Sequence, residues 1–314
     1  MTKVTKNLHL AVIGTGRVGR ATLLLLAYEP WLQKLTLVDT EPGVAGAVEE
    51  EMRHALASTR RDIQLQSSEK DAGVEGADIV LITAGTPRDE DMESRTELTR
   101  ANGRIMAQIA EETYPRNPEA RYVVVTNPVD AMATLFKELS GARWVMSTGT
   151  NLESQRFRAE LAKQLDANVS SVSGFCGGEH GKEAVFLWST VRIEGKPLEI
   201  YLREAGRRLN KSDMEEKVKE ISRQVIKYTG GTRHGPATSF RDILRSIALN
   251  ENRILSVSSI QKRTPEEQVA VSVPQMVGAS LGPTLESALT SQEKTALDRA
   301  AERIYRTYCT ALES

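Results

Sequence analysis

Short apolar runs alternate with longer amphipathic stretches through the first half of the chain. Residues 8–13 form a run of the length of a buried strand, and after a glycine turn residues 20–28 carry helical spacing. The pattern then predicts a strand over 35–38, a charged amphipathic helix over 44–57, and strands over 63–65 and 78–83. It continues with a helix over 104–113, a strand over 122–126, a helix over 131–139 and a strand over 144–147. Strands alternating with helices of this length imply βαβ units, and so an α/β fold with a doubly wound parallel sheet of Rossmann type.

Beyond about residue 150 the pattern changes to mixed α+β. A helix over 152–165 leads to a strand over 172–175, a glycine-rich stretch and a strand pair around 185–193. Helices over 214–228 and 239–249, strands over 254–260 and 269–273, and a last helix over 292–312 follow. There is no internal repeat and no long low-complexity linker. The expected organisation is an N-terminal α/β domain over 1–150 and a C-terminal mixed α+β domain over 151–314.

Composition narrows this without changing it. A length of 314 residues suits two domains or one large α/β unit. Hydrophobic residues at 40% and charged residues at 26% are those of a globular chain, not a disordered one. A net charge of −1 leaves no electrostatic footprint for nucleic acid or an anionic membrane, so neither is expected as a partner. The longest pure apolar run, Leu23 to Ala27, is far short of the roughly 18 residues that span a bilayer. No hydrophobic signal core follows the basic N-terminus. Two cysteines, Cys176 and Cys309, make no disulfide framework and point to a cytoplasmic location.

Two places carry chemistry. Gly14-Thr15-Gly16-Arg17-Val18-Gly19 lies between a predicted strand and a predicted helix, the context that makes such a glycine pattern informative. Its first glycine permits a tight turn, the second lets backbone N–H groups reach a pyrophosphate, and the third allows close helix–sheet packing. Asp39 ends the next strand, where a carboxylate accepts hydrogen bonds from the adenosine ribose hydroxyls and repels a 2′-phosphate. NAD is therefore the expected cofactor. The second place is Gly177-Gly178-Glu179-His180-Gly181. His180 is one of four histidines and the one set among glycines, which would let backbone and small ligands approach the ring. On its own it reads equally as an acid–base residue or as a turn histidine capping a carbonyl.

Three ordered motifs follow the nucleotide turn: Thr126-Asn127-Pro128-Val129-Asp130, then Gly149-Thr150-Asn151-Leu152-Glu153-Ser154-Gln155-Arg156-Phe157-Arg158, then Gly178-Glu179-His180-Gly181. With them the chain resembles the NAD-dependent lactate/malate dehydrogenase family over almost its whole length, most closely the malate dehydrogenases of the lactate-dehydrogenase-like group. The resemblance implies that residues 151–314 form the substrate-binding domain. His180 would take the substrate hydroxyl proton as hydride leaves carbon 2 for the nicotinamide. Arg156 would hold the adjacent carboxylate through two parallel hydrogen bonds. Arg95, on the loop after the fourth strand, would swing over the substrate and polarise its carbonyl, and Asn127 would hydrogen-bond substrate or nicotinamide. Cofactor contacts would come from Gly14, Gly16, Arg17, Val18, Gly19, Asp39, Ala84, Gly85, Asn102 and Asn127.

The chain departs from the family twice. The partner of the catalytic histidine is usually aspartate; here the position holds Glu153, one methylene longer, which is expected to do the same work. The mobile loop reads Pro87-Arg88-Asp89-Glu90-Asp91-Met92-Glu93-Ser94-Arg95, one residue longer than usual and rich in acids. Arg88 falls where the family places its substrate-reading side chain, and an arginine there suits the far carboxylate of malate or oxaloacetate. The segment 230–236 also lies near the expected pocket, where His234 reads as an ordinary loop histidine.

The resulting expectation is an L-malate dehydrogenase acting on a small 2-hydroxy or 2-oxo acid, with an L-lactate or other 2-hydroxyacid dehydrogenase as the alternative. A non-catalytic NAD-binding relative is a weaker one. An NAD- and metal-dependent glycosidase would need Cys176 and His180 to converge on a metal, and their spacing disfavours it, so no metal is expected. Assembly as a homotetramer or homodimer is implied, with the apolar positions of 44–57 and 152–165 as possible interface.

Overall fold

The structure, a computed structural model, describes residues 7–86, 95–181, 183–263 and 268–313, with Arg95 described by its backbone alone. The first half runs β1 (Leu8–Ile13), α1 (Arg17–Leu26), β2 (Leu32–Val38), α2 (Val44–Thr59), β3 (Gln64–Ser68) and β4 (Ile79–Ile82). It continues with α3 (Arg95–Thr113), β5 (Arg121–Val124), α4 (Val129–Ser140) and β6 (Trp144–Ser147). The second half begins with α5 (Asn151–Gln164), β7 (Val172–Gly178), β8 (Ala184–Ile193), β9 (Lys196–Pro197) and α6 (Leu198–Glu204). It ends with α7 (Lys211–Thr229), α8 (His234–Leu249), β10 (Arg253–Lys262), β11 (Gln268–Val277), β12 (Leu281–Thr284) and α9 (Ser291–Leu312).

Six parallel strands lie in the order β3-β2-β1-β4-β5-β6. Strand order reverses between β1 and β4, the switch point at which open α/β sheets bind ligands beyond their strand ends. Both faces of this sheet are covered, so β1 is apolar at every position from Leu10 to Ile13 rather than at alternate ones. Leu10 and Val12 pack in one core with Leu23 and Leu26 of α1 and Val48 and Met52 of α2. Ala11 and Ile13 face the other way, onto Met106 and Ile109 of α3 and Met132 and Phe136 of α4.

The second half continues the same sheet. β10 pairs with β6 through Ser258–Ser147 and Ser259–Met146, and the order runs on antiparallel through β11, β7, β8 and β9. It also helps to cover the first half: Ile243, Leu244 and Ile247 of α8 share the core of Leu10 and Val12, and Ala311 of α9 reaches the opposite core. Glu29, just after α1, is fully buried and holds α8 in place. It pairs with Arg241 and, at 3.1 Å, with Arg245, and accepts the Trp31 indole N–H at 2.7 Å.

Several expectations need correction. α3 begins nine residues before the predicted 104, so Arg95 opens a helix rather than riding on a loop. Its inward positions there are Thr99, Asn102 and Gly103, which have helical spacing but no apolar signal. α8 starts at His234, ahead of the predicted 239; Gly235 and Pro236 look like a loop in sequence, yet proline is tolerated in a first helical turn. The short α6 was not predicted. The apolar positions Val48, Met52 and Leu56 of α2, and Phe157 and Leu161 of α5, are core residues rather than interface.

Candidate active site

The glycine turn closes over the end of β1. Gly14 adopts φ 92° and donates its N–H to the Val38 carbonyl at 2.7 Å. A Cβ on Gly14 would stand 2.4 Å from the Ala84 nitrogen, and one on Gly19 would stand 2.6 Å from the Gly14 carbonyl. These two glycines are thus demanded by packing alone. Gly16 differs: among the described residues nothing lies within 4 Å of its Cβ position, and no side chain caps the start of α1. Helix N–H groups therefore open onto clear space, which fits a pyrophosphate. Val18 lies in that first helical turn.

Asp39 accepts from the backbone N–H and the hydroxyl of Thr15, both at 2.8 Å on Oδ2. Among the described residues its Oδ1 meets only the Glu41 N–H, at 3.2 Å, and keeps acceptor capacity for ribose hydroxyls. The Arg17 guanidinium donates to the Gly230 carbonyl, tying the nucleotide turn to the segment before α8. Ala84 and Gly85 follow β4, and a Cβ on Gly85 would press on Thr126 at 3.0 Å. Asn102 is buried and spends its amide on backbone: Oδ1 accepts from Thr86 N–H at 2.8 Å, and Nδ2 donates to the Asn127 carbonyl at 2.6 Å. It clamps the ends of β4 and β5 together. Asn127 itself is exposed, and its side chain makes no hydrogen bond among the described residues.

The proton-handling group is built by α5 and the β7–β8 turn. Thr150 fixes the start of α5, donating its hydroxyl to the Cys176 carbonyl at 2.8 Å, while its N–H goes to the Ser272 hydroxyl at 3.1 Å. Phe157 anchors the next turn edge-on against Phe186 and Trp188, at 5.0 and 4.9 Å between ring centroids. Glu153 is consequently held, buried, beside His180. Nδ1 of His180 lies 3.2 Å from Glu153 Oε2 and 3.1 Å from the Gly149 carbonyl. A carbonyl and a carboxylate can only accept, so Nδ1 carries a hydrogen in either charge state and Nε2 is the atom that gains and loses a proton.

Burial alone would lower the histidine's pKa. The charge and hydrogen bond of Glu153, with help from Asp130, outweigh that and raise it to about 9. Burial would likewise raise the Glu153 pKa, but His180 and then Arg156 hold it below the ordinary value. The other oxygen of Glu153 lies 3.6 Å from Arg156 Nη1. That guanidinium makes no hydrogen bond among the described residues, so its donor fork is open to an anion. Arg158 points elsewhere, its Nη1 3.4 Å from the Gly174 carbonyl.

The structure thus brings His180, Glu153 and Arg156 together. Arg88 and the side chain of Arg95 lie outside the described residues. His234 is exposed at the head of α8, and Gly235 packs on Leu152 of α5. The glycines before His180 serve a different end from the one expected. A Cβ on Gly177 would stand 2.8 Å from Leu297 and 2.9 Å from the Ser272 carbonyl, and one on Gly178 would stand 3.0 Å from Ala300. They let β7 lie close under α9 and β11 rather than admitting a ligand. Sequence reasoning also passed over Gly149, whose carbonyl carries no sequence signal, and Asp130, which accepts the His180 backbone N–H at 2.8 Å. Asp130 ends the motif Thr126-Asn127-Pro128-Val129-Asp130, so its position in sequence does carry a signal.

Known proteins carry the same organisation. The family model described as "lactate/malate dehydrogenase, NAD binding domain" matches residues 8–144, and that of the "alpha/beta C-terminal domain" matches 150–309. A protein of Sulfurisphaera tokodaii named malate dehydrogenase is 39% identical over 299 residues, covering 95% of this chain and 94% of that one. A protein of Methanocaldococcus jannaschii named L-2-hydroxycarboxylate dehydrogenase (NAD(P)(+)) is 32% identical, covering 96% of this chain and 98% of that one. The crystal structure of minor L-lactate dehydrogenase from Enterococcus mundtii superimposes with a TM-score of 0.89 at 27% identity, over 97% of this chain and 98% of that one. With both family models matched in order along nearly its full length, the chain belongs to the lactate/malate dehydrogenase family.

Proposed function

We propose that the protein interconverts L-malate and oxaloacetate with NAD, the substrate proton passing through Nε2 of His180. The observation that carries this reading is the shared carboxylate of Glu153, which holds His180 on one side and lies near the open guanidinium of Arg156 on the other. NAD, when bound, supplies the hydride acceptor. His180 takes the hydroxyl proton of malate at Nε2 as hydride leaves carbon 2, and returns it in the reverse direction. Glu153 stabilises the imidazolium that forms. Arg156 binds the carboxylate beside the reacting carbon, and Asn127 holds the substrate or the carboxamide from the end of β5. Arg95 is assigned to polarise the carbonyl, and Arg88 to pair with the far carboxylate.

Gly14, Gly16, Arg17, Val18, Gly19, Asp39, Ala84, Gly85, Asn102 and Asn127 line the proposed cofactor track, Asn102 acting through the backbone it clamps. Residues 1–150 act as the NAD-binding unit and 151–314 as the substrate unit. The second reading is a dehydrogenase of lactate or another 2-hydroxyacid, which the names of the relatives support equally well in kind. The malate reading is favoured by Arg88 and by the 39% identity to the Sulfurisphaera tokodaii protein named malate dehydrogenase, against 32% to the L-2-hydroxycarboxylate dehydrogenase.

NADH absorbance followed with oxaloacetate, pyruvate and a longer 2-oxoacid in turn tests the reading. Oxidation with oxaloacetate alone supports it; a preference for pyruvate removes Arg88 as selector and moves the assignment to the second reading. Repeating with NADPH tests Asp39, whose charge should disfavour the 2′-phosphate. Among the described residues no helix is long and apolar enough to cross a membrane. Cys176 and Cys309 are free thiols, which supports a cytoplasmic location. A homodimer or homotetramer is proposed, with the face around α1, α2 and α8 as its contact. There Leu24 and Tyr28 are exposed, and a cavity of about 680 Å³ opens beside Arg20 and Met52. Light scattering on the purified protein decides the state.

A further inference from the structure

Asp130 lies in the first turn of α4, 3% exposed, and donors from three other parts of the fold converge on its carboxylate. The hydroxyl of Ser147, at the end of β6, reaches Oδ1 at 2.9 Å, and that of Ser258, in β10, reaches the same oxygen at 2.6 Å. The backbone N–H of His180 reaches Oδ2 at 2.8 Å. The Ser147 oxygen also accepts the Gly149 N–H at 3.1 Å, which leaves its own hydrogen for Asp130. The Gly149 carbonyl in turn accepts His180 Nδ1–H at 3.1 Å. Asp130 therefore reaches His180 twice, directly at the main chain and through Ser147 and Gly149 at the ring. Burial pushes the Asp130 pKa up, but the three converging donors favour the charged form.

A buried acid held only to knit strands together would have no need of the histidine. Here the acid also stands three residues after Asn127, in the segment that leaves β5 for α4. We propose that Asp130 is the positioning residue of the proton carrier. Its two oxygens fix the β7–β8 turn against the ends of β5 and β6, so that His180 and Asn127 keep a set separation, and its negative charge supports the imidazolium. The inference rests on the dehydrogenase reading for its catalytic consequence, but not for its electrostatic one. Among the described residues, the charged groups acting on His180 are Glu153 and Arg156 from α5 and Asp130 from α4. Glu179 on its own turn is paired with Arg303 of α9 at 3.2 Å, and Asp130 and Glu183 both act on it.

Asp130→Asn keeps the shape and still offers an amide oxygen to the His180 N–H; the charge is lost, and the serine hydroxyls change from donors to acceptors of the amide NH₂. The chain has four histidines, so selective isotope labelling lets each imidazole be titrated by NMR in the whole protein. The expected result is a His180 pKa roughly one pH unit lower in the variant, with His9, His54 and His234 unmoved. In turnover, kcat should fall by about tenfold or more while KM for oxaloacetate and NADH affinity change less than about threefold. An unmoved His180 titration with kcat within about twofold of the parent overturns the proposal, since a knitting role alone would alter only stability. Should the variant fail to fold, Ser147→Ala and Ser258→Ala each keep the carboxylate but remove one of the two donors to Oδ1. A loss of kcat in either supports the proposal, and none in both sinks it. If the unaltered protein turns over no 2-oxoacid, the functional reading fails, and the NMR titration alone still decides for or against Asp130.

Discussion

Glu153 sets one carboxylate between two cations, Oε2 at 3.2 Å from His180 Nδ1 and Oε1 at 3.6 Å from Arg156 Nη1. With His180 protonated up to about pH 9, the free enzyme carries the proton that reduction of the oxo acid consumes. Reduction of oxaloacetate should therefore be level through neutral pH and fall as pH rises through about 9, while malate oxidation rises over the same interval. The same linkage acts on stability. A histidine whose folded pKa exceeds its unfolded value of 6.5 contributes stability fully present below that value and lost as pH rises through about 9. Replacing Glu153 by Gln removes the charge that holds the imidazolium. Turnover should fall on the order of 10²–10⁴-fold, and the alkaline limb of oxaloacetate reduction should move to lower pH. Near-parental turnover with an unmoved limb would deny Glu153 its role.

At the level of elements, two classes of glycine should respond oppositely to the same methyl group. Gly16 has φ −70° and open space about it, so Gly16→Ala should leave the urea midpoint unchanged and weaken NADH binding by at least about tenfold. Gly177 faces the Ser272 backbone, which cannot yield, so Gly177→Ala should cost about 1–3 kcal/mol of stability, read from urea unfolding. Sequence could not separate these classes, because a glycine records that a side chain is missing and not what occupies its place. The strands were legible because a sheet covered on both faces leaves unbroken apolar runs. The first half of α3 was not, because its buried stripe is Thr99, Asn102 and Gly103. In the site, His180, Glu153 and Arg156 were legible as residue types at motif spacing. The ring's second acceptor, a main-chain carbonyl at Gly149, and the convergence of two serines on Asp130 are products of chain folding over long sequence separations.

For the molecule as a whole, the family models divide the chain near residue 150, yet the core does not. Glu29 is enclosed with the Trp31 indole and two arginines from α8, more than two hundred residues away. Glu29→Ala would leave the indole N–H without its acceptor, while Arg241 would keep Asp242 at 3.3 Å and Arg245 would keep Glu251 at 2.8 Å. It should cost about 1–3 kcal/mol by urea unfolding, with α8 the first element to lose protection in hydrogen exchange. That attachment sets a rule for anyone recombining this protein with a relative. A crossover at residue 150 separates Leu10 and Val12 from Ile243 and Leu244, and Glu29 from Arg241 and Arg245. The unit inherited with the nucleotide turn is then residues 7–147 together with 234–249. A chimera that draws α8 from the same parent as β1 should be soluble, and one that draws it from the other parent should aggregate unless that parent supplies both arginines.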